Sequence, residues 1–214
     1  LQGLNKNTGV HPSGIAISYF DLEHIMPLQT TNEGALISAY DMNDVSSLSV
    51  KFDILGLRTL SVVYDVCKQI GVDASEIDPH DPSIYAALSC LRSPHGLFQI
   101  EADTNFKVCQ LVAPRNLEQL SAVVAIARPG ALDFKDRYAE YARSGESQSV
   151  HEFFDDILSY TGGIPLYQEQ LMKMVVKVGF SLDEAEQLRR IVGKKKVDQM
   201  PAWKEKIEEK IEQN

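Results

Sequence analysis

The first quarter of the chain alternates short apolar runs with turn-forming residues. The runs lie at residues 14–18, 35–40 and 47–55, and glycine and proline residues separate them. Apolar runs of this length between turn residues are typical of β-strands. We therefore predict three strands, which need further elements to cover an apolar face, so this region is expected to be incomplete by itself.

From Thr59 onward the apolar positions recur every three to four residues, which predicts helices. Gly71 is expected to stop the first of them. Asp81-Pro82 is a cap followed by proline at the first helical position. Residues 116–119 and 181–184 have the form of a capping box. The predicted helices cover residues 59–70, 82–91, 117–127, 150–160, 167–178, 181–192 and 201–213.

The two patterns together predict an α+β fold. A β-rich part covers residues 1–58, a mostly helical part covers residues 59–214, and the boundary lies near Arg58. The 214 residues, with 44% hydrophobic and 24% charged positions, suffice for one or two globular domains. No apolar run reaches the roughly 18 residues that predict a membrane span. The three cysteines are widely spaced and form no Cys-x-x-Cys pair, which argues against a zinc site or a disulfide framework.

A charged pair interrupts the third apolar run. Lys51 and Asp53 are two residues apart, so on a strand they share one face, while Phe52 and Ile54 share the other. One interpretation is a salt-bridged surface strand. The alternative is functional, with a carboxylate that holds a metal ion and a lysine that contacts phosphate.

A basic cluster lies near the end of the chain, although the net charge is −9. Residues 188–196, LRRIVGKKK, carry five cations after an acidic helix start. The cluster can be a solvated end that compensates the helix dipole. It can equally bind phosphate, because binding needs a local basic patch and not a basic protein.

Several stretches resemble, in the same order, motifs of the bacterial replicative DNA polymerases of the C family. Residues 51–60, KFDILGLRTL, resemble the family's third-aspartate motif. The other matching stretches are HPSG at 11–14, FQIE at 98–101, AIARPG at 125–130, LYQEQ at 166–170 and the basic cluster at 188–196. The resemblance covers nearly the whole chain, which begins at Leu1, and implies a central segment: the end of the palm (1–58) and part of a helical fingers domain (59–214).

The resemblance also implies site residues. Asp53 would bind Mg²⁺ and Lys51 would lie beside the reacting phosphates, while Arg189 and Arg190 would hold the triphosphate of the incoming nucleotide. His11 would belong to the palm near the active site, without an assigned chemical role. Contacts to the phosphate backbone of DNA are expected from Arg128, Lys194, Lys195 and Lys196.

The implied activity is DNA-directed DNA synthesis, in which two-metal phosphoryl transfer adds deoxynucleotides to a primer 3′ end. The family takes two further carboxylates from an Asp-x-Asp motif, and this sequence contains no Asp-x-Asp. We therefore expect no activity from the chain alone. After Glu101 the family continues with Ser and, two residues later, Gly, whereas residues 102–104 read Ala-Asp-Thr, which puts this part of the nucleotide pocket in question.

The implied partners are primer-template DNA, deoxynucleoside triphosphates, the remainder of the polymerase chain and a replisome with a sliding clamp. No membrane partner is expected, and the expected location is the bacterial cytoplasm, for a bacterial or a phage-encoded protein. Three alternatives stay open: a non-catalytic module that binds DNA or nucleotide, one half of a split polymerase, and a helical structural protein.

Overall fold

The structure is a computed structural model that describes residues 9–193 and 196–213. For residue 213 it describes the backbone alone. The chain divides into two compact units, one ending at Ala74 and the other beginning at Ser75. An α+β fold is confirmed, since short antiparallel strands are followed by helices. The predicted domain boundary near Arg58 stays a prediction, and the helix that begins there lies in the first unit.

The first unit contains four described strands in two antiparallel pairs. The strands are β1 (Gly14–Ile17), β2 (Leu28–Thr30), β3 (Leu36–Ser38) and β4 (Val50–Asp53). β1 pairs with β4, and β2 pairs with β3. The prediction of three strands in this region is therefore wrong, because the short strand β2 lacks an apolar run that could have revealed it.

The predicted strand over residues 47–55 is also too long. The helix α2 (Met42–Leu48) occupies its beginning, and β4 follows two residues later. Asp41 caps this helix, since its carboxylate accepts the backbone N–H groups of Asn43 and Asp44. An aspartate before a polar stretch was the available signal. The first unit is completed by α1 (Leu22–Ile25) and α3 (Arg58–Ile70).

The described part of the second unit is helical. Its α-helices are α4 (Pro82–Cys90), α5 (Asp103–Val112), α6 (Leu117–Ile126), α7 (Lys135–Ser144), α8 (Asp155–Leu158), α9 (Gln168–Lys177), α10 (Leu182–Gly193) and α11 (Met200–Gln213). Short 3-10 helices lie at Ala74–Glu76, Leu132–Phe134, Glu152–Phe154, Ser159–Thr161 and Val197–Gln199.

The predicted helix signals are confirmed where capping chemistry supported them. Gly71 ends α3 in the left-handed conformation. Asp81 caps α4 ahead of Pro82. Ser181 and Glu184 exchange hydrogen bonds as a capping box, with 3.3 Å from the Glu184 backbone N to the Ser181 Oγ and 2.9 Å from the Ser181 N to the Glu184 Oε2.

In the second unit the helices α5 and α7 were not predicted, as α1 and α2 were not in the first, and one predicted helix is broken. Residues 150–160 form a 3-10 turn, the four-residue α8 and the start of a second 3-10 turn. The spacing of the FQIE stretch by itself favours a buried strand or a helix start, but the structure has a turn there, before α5. In both stretches local apolar spacing was taken for regular structure.

Two apolar cores hold the second unit. The larger core joins α5, α6 and α7 around fully buried side chains such as Val123 and Ile126. The smaller core joins α9, α10 and α11 through Leu188, Phe180 and Trp203. These cores fix the helices that carry the sequence motifs.

The first unit buries little apolar surface. Four side chains share the face of the β1–β4 pair opposite Lys51 and Asp53, and all are about half exposed: Ile15, Ile17, Val50 and Phe52. The expectation that this region needs further elements to cover it agrees with that exposure. Among the described residues, no helix is both long and apolar enough to cross a membrane.

Candidate nucleotide and DNA site

Where β1 pairs with β4, the side chains of His11, Lys51 and Asp53 lie together. The register places Gly14 opposite Asp53 and Ala16 opposite Lys51, so all four share one face. Lys51 Nζ donates to Asp53 Oδ1 at 2.6 Å, and His11 Nδ1 lies 4.0 Å from the same oxygen. The predicted shared face of Lys51 and Asp53 is confirmed.

Gly14 leaves the space that this cluster needs. A Cβ at this position would lie 2.9 Å from Lys51 Cε and 3.0 Å from His11 Nδ1. The His11 Nδ1 also accepts the backbone N–H of Ser13 at 3.3 Å, which orients the ring. The HPSG stretch therefore has a steric and orienting role beside Lys51 and Asp53.

The cluster keeps Asp53 ionised. The hydrogen bond from Lys51 holds the pKa of the Asp53 carboxyl below its usual range. The Asp53 side chain is 45% exposed and the Lys51 side chain 20% exposed. An accessible carboxylate beside an ammonium group is suited to bind a metal ion or to lie beside a phosphate. Within the described residues, no group of three or more His, Cys, Asp or Glu side chains could hold a metal ion.

In the second unit, three of the sequence motifs line one groove of about 560 Å³. Its walls are residues 98–100, one side of α6 together with Arg128 just past the end of that helix, and residues 166–169. Phe98 is 45% exposed there and forms an aromatic part of the groove wall. The motifs are far apart in sequence, and the fold brings them together.

The wall formed by the FQIE turn is held in a costly conformation. Gln99 has φ 67°, in the left-handed region that residues other than glycine rarely adopt. The Asn105 Nδ2 donates to the Gln99 carbonyl oxygen at 2.7 Å and so supports this turn from α5. Local backbone strain of this kind is characteristic of binding sites.

The departure after Glu101 concerns a helix cap. Ala102 is the N-cap residue of α5 and makes no side-chain capping hydrogen bond. A serine at this position would place a hydroxyl acceptor at the helix start. Ala102 does not line the groove, so an alanine in place of serine affects the N-terminus of α5 and not the groove wall.

The LYQEQ wall is fixed by the buried Gln170. Its Oε1 accepts the backbone N–H groups of Leu166 (2.9 Å) and Tyr167 (3.0 Å). Its Nε2 donates to the Ile157 carbonyl (3.1 Å) and to Thr161 Oγ1 (2.8 Å). The side chain is 0% exposed, and the four bonds use both ends of the amide. Gln170 therefore ties the start of α9 to α8 and the turn that follows it.

The paired arginines lie at the end of α10 and differ in exposure. Arg189 is 29% exposed and Arg190 is 68% exposed. Arg189 donates from Nε and Nη2 to Glu186 and from Nη1 to Gln168 Oε1 at 2.9 Å. Arg190 donates from Nε to Glu186 at 2.8 Å. Because Gln168 also lines the groove, the arginine pair adjoins the groove formed by the other three motifs.

The remaining predicted phosphate contacts are described only in part. Arg128 is exposed at the groove. Lys196 is exposed, and its backbone N–H donates to the Ile191 carbonyl just past α10. Lys194 and Lys195 lie outside the described residues. Asp53 and Lys51 belong to the first unit, whereas the arginines belong to the second.

Two family models together match the whole chain. A family model for the bacterial DNA polymerase III alpha subunit finger domain matches residues 57–214. The chain belongs to the bacterial DNA polymerase III alpha subunit family. A second family model, for the bacterial DNA polymerase III alpha NTPase domain, matches residues 1–56. The resemblance in the motifs is thereby confirmed over the whole sequence.

Individual DNA polymerase III alpha relatives match along nearly the whole chain. A protein named DNA polymerase III subunit alpha from Thermus aquaticus is 34% identical over 97% of this chain and 18% of the relative. A protein of the same name from Thermotoga maritima is 36% identical over 97% of this chain and 23% of the relative. A protein named error-prone DNA polymerase from Nocardia farcinica is 32% identical over 97% of this chain. The chain thus spans about a fifth of the length of the curated relatives it matches.

Sequence reasoning missed three polar residues of this polymerase segment. Glu186 and Gln168 contact the arginines, and Gln170 fixes the LYQEQ wall. Glu186 could have been found, because a carboxylate three and four residues before two arginines on a helix pairs with both. No local signal pointed to Gln168, whose partner Arg189 lies 21 residues away in sequence. Gln170 could have been found in part, because a glutamine in the first turn of a helix can accept the backbone N–H of the N-cap residue three positions before it.

Proposed function

We propose that the chain is the palm-end and fingers segment of a replicative DNA polymerase, which adds deoxynucleotides to a primer 3′ end. The observation that carries the proposal is the gathering of four motifs in one matched finger domain. Three motifs line the groove, and Gln168 joins them to the arginine pair of the fourth. A groove with an exposed aromatic wall beside two guanidinium groups suits a nucleoside triphosphate.

In this proposal Arg189 and Arg190 bind the triphosphate. Guanidinium groups donate in a planar fork that fits phosphate oxygens, and they stay charged at every working pH. Arg190 is the more accessible of the two, and its terminal nitrogens extend past the Glu186 contact. Charge stabilisation and positioning are the protein's main contributions to phosphoryl transfer.

Primer-template DNA is the second proposed ligand. Arg128 and Lys196 are exposed cations of the second unit, and residues 194–196 are three consecutive lysines in the sequence. Such groups neutralise phosphates without reading sequence. The further proposed partners are the remainder of the polymerase chain and a replisome with a sliding clamp.

Asp53 and Lys51 are the proposed catalytic residues of the first unit. The ionised, half-exposed Asp53 fits the role of one Mg²⁺ ligand, and Lys51 fits a place beside the reacting phosphates. Mg²⁺, when bound, supplies charge neutralisation at the transferring phosphate. One carboxylate binds magnesium weakly, so further ligands would come from other parts of the complete polymerase, and the chain alone is proposed to be inactive.

The experiment is primer extension by the full-length polymerase that carries this segment. Asp53→Ala should lower nucleotide incorporation at least about a hundredfold, because a metal ligand is lost. The matched control is Asp21→Ala, which removes an exposed carboxylate that makes no side-chain capping bond in the same unit. Full activity of Asp53→Ala would contradict the catalytic assignment. Incorporation by the isolated chain that disappears with Asp53→Ala would contradict the proposed inactivity.

A further inference from the structure

Two neighbouring arginines on a helix do not come together unaided. Adjacent positions on an α-helix point about 100° apart, and two like charges repel. Both arginines also have long side chains with many rotamers, which a binding site must restrict. A triphosphate site built from Arg189 and Arg190 therefore needs something in the protein that holds both guanidinium groups.

Glu186 is placed to do this. It lies three residues before Arg189 and four before Arg190, the two spacings at which helical side chains meet. Its Oε2 accepts Arg189 Nε at 2.6 Å, and its Oε1 accepts Arg189 Nη2 at 2.7 Å. The same Oε1 accepts Arg190 Nε at 2.8 Å. One carboxylate thus takes three donors from the two side chains.

Gln168 completes the restraint on Arg189. Its Oε1 accepts Arg189 Nη1 at 2.9 Å from the start of α9, so donors on all three nitrogens of this guanidinium are engaged. Within the described residues, the hydrogen bonds of Arg190 are limited to its Nε. Arg189 is therefore held on two sides, whereas the Nη1 and Nη2 groups of Arg190 extend toward solvent.

The charges persist at neutral pH. Hydrogen bonds from Arg189 and then Arg190 lower the pKa of Glu186 to about 2. The formal charge of the three side chains is −1 from Glu186 and +2 from the arginines, a net of +1. Glu186, Arg189 and Arg190 together therefore keep a net positive charge that attracts phosphate, while the Glu186 carboxylate holds the two guanidinium groups in place.

We propose that Glu186 is a positioning residue for nucleotide binding: it clamps Arg189 and Arg190 side by side, with Gln168 as the second support of Arg189, so that Arg190 presents its terminal nitrogens to the triphosphate. This rests on the proposed function of the arginine pair. A positioning role and a simple counter-charge role for Glu186 predict opposite effects on triphosphate binding when the carboxylate is lost. Loss of a counter-charge raises the net charge from +1 to +2 and strengthens triphosphate binding, whereas loss of a clamp weakens it.

The test uses Glu186→Gln in the full-length polymerase, with steady-state incorporation of one nucleotide on a primed template. KM for the nucleotide should rise and kcat/KM should fall roughly tenfold, because the arginines lose their fixed geometry. Glu186→Asp, which keeps the carboxylate, should recover most of the loss. The matched control is Glu208→Gln, which breaks an exposed ion pair with Lys204 on α11 and should leave both constants unchanged.

A double variant shows whether Glu186 acts through the arginines. In an Arg189→Ala/Arg190→Ala background, Glu186→Gln should have no further effect on kcat/KM. A lower KM in Glu186→Gln, or an undiminished effect in the arginine-free background, would overturn the positioning role. If Arg189→Ala and Arg190→Ala themselves leave KM unchanged while the polymerase stays active, the triphosphate assignment fails, and the positioning role fails with it.

Discussion

Replacing Gln170 by leucine tests how the LYQEQ motif stabilises the second unit. The substitution keeps the approximate size of the side chain but removes its four hydrogen bonds, to Leu166 N, Tyr167 N, the Ile157 carbonyl and Thr161 Oγ1. Each polar group that is left unpaired in a buried setting costs about 1–3 kcal/mol. Thr161 Oγ1 still donates to a neighbouring backbone carbonyl, so three groups are left unpaired. At about 1.5 kcal/mol each they lose about 4.5 kcal/mol, and the added apolar burial returns about 1.5 kcal/mol.

The expected result of Gln170→Leu is a free energy of unfolding lower by roughly 3 kcal/mol, and a Tm lower by about 6–12 °C for a unit of this size. Thermal unfolding followed by circular dichroism measures it. The matched control is Gln187→Leu, the same substitution at an exposed position of α10, which should change Tm by less than about 2 °C. Equal, small shifts in the two variants would refute the argument that the buried amide carries this stability.

Three smaller predictions concern other parts of the chain. Ala102→Ser should add the missing cap of α5 and raise the free energy of unfolding by about 1 kcal/mol, and denaturant unfolding with no gain would contradict this. Lys51→Met should raise the pKa of Asp53 toward its ordinary value, since the Lys51 hydrogen bond lowers it, and an unchanged NMR titration would show that the bond is not formed. Cys90 is exposed, whereas burial raises the pKa of Cys109, so a thiol reagent should label Cys90 in the folded chain and Cys109 only after unfolding.

The helical part of the fold could be predicted where capping signals and apolar spacing agreed. Asp81 with Pro82 and the 181–184 capping box marked true helix starts. The helices α5 and α7 were not predicted because their starts lack such a signal. Neither Ala102 nor Phe134 makes a side-chain capping bond. Their burial depends on partners distant in sequence, which a local pattern does not encode.

The sequence predicted that two charged residues of the candidate site share a face, but it did not predict the groove or the side chains that hold the arginines in place. The spacing of Lys51 and Asp53 gave their shared face, which the 2.6 Å contact confirms. The groove itself was not predicted, because its walls come from three stretches that lie apart in sequence. The Gln168 contact to Arg189 likewise depends on how α9 packs against α10.

The most direct measurement of the central claim is the nucleotide kinetics of Arg189→Lys and Arg190→Lys in the full-length polymerase. A lysine keeps the charge but loses the planar fork, and a lost charge-assisted contact is worth roughly 1.5–3 kcal/mol. We expect kcat/KM for the nucleotide to fall about tenfold to a hundredfold in the variant whose guanidinium contacts the triphosphate, with a nearly unchanged Tm. Arg143→Lys, at the exposed end of α7, is the matched control and should leave kcat/KM unchanged. Unchanged nucleotide kinetics in both Arg189→Lys and Arg190→Lys would contradict the account, and the cluster would then be a solvated helix end.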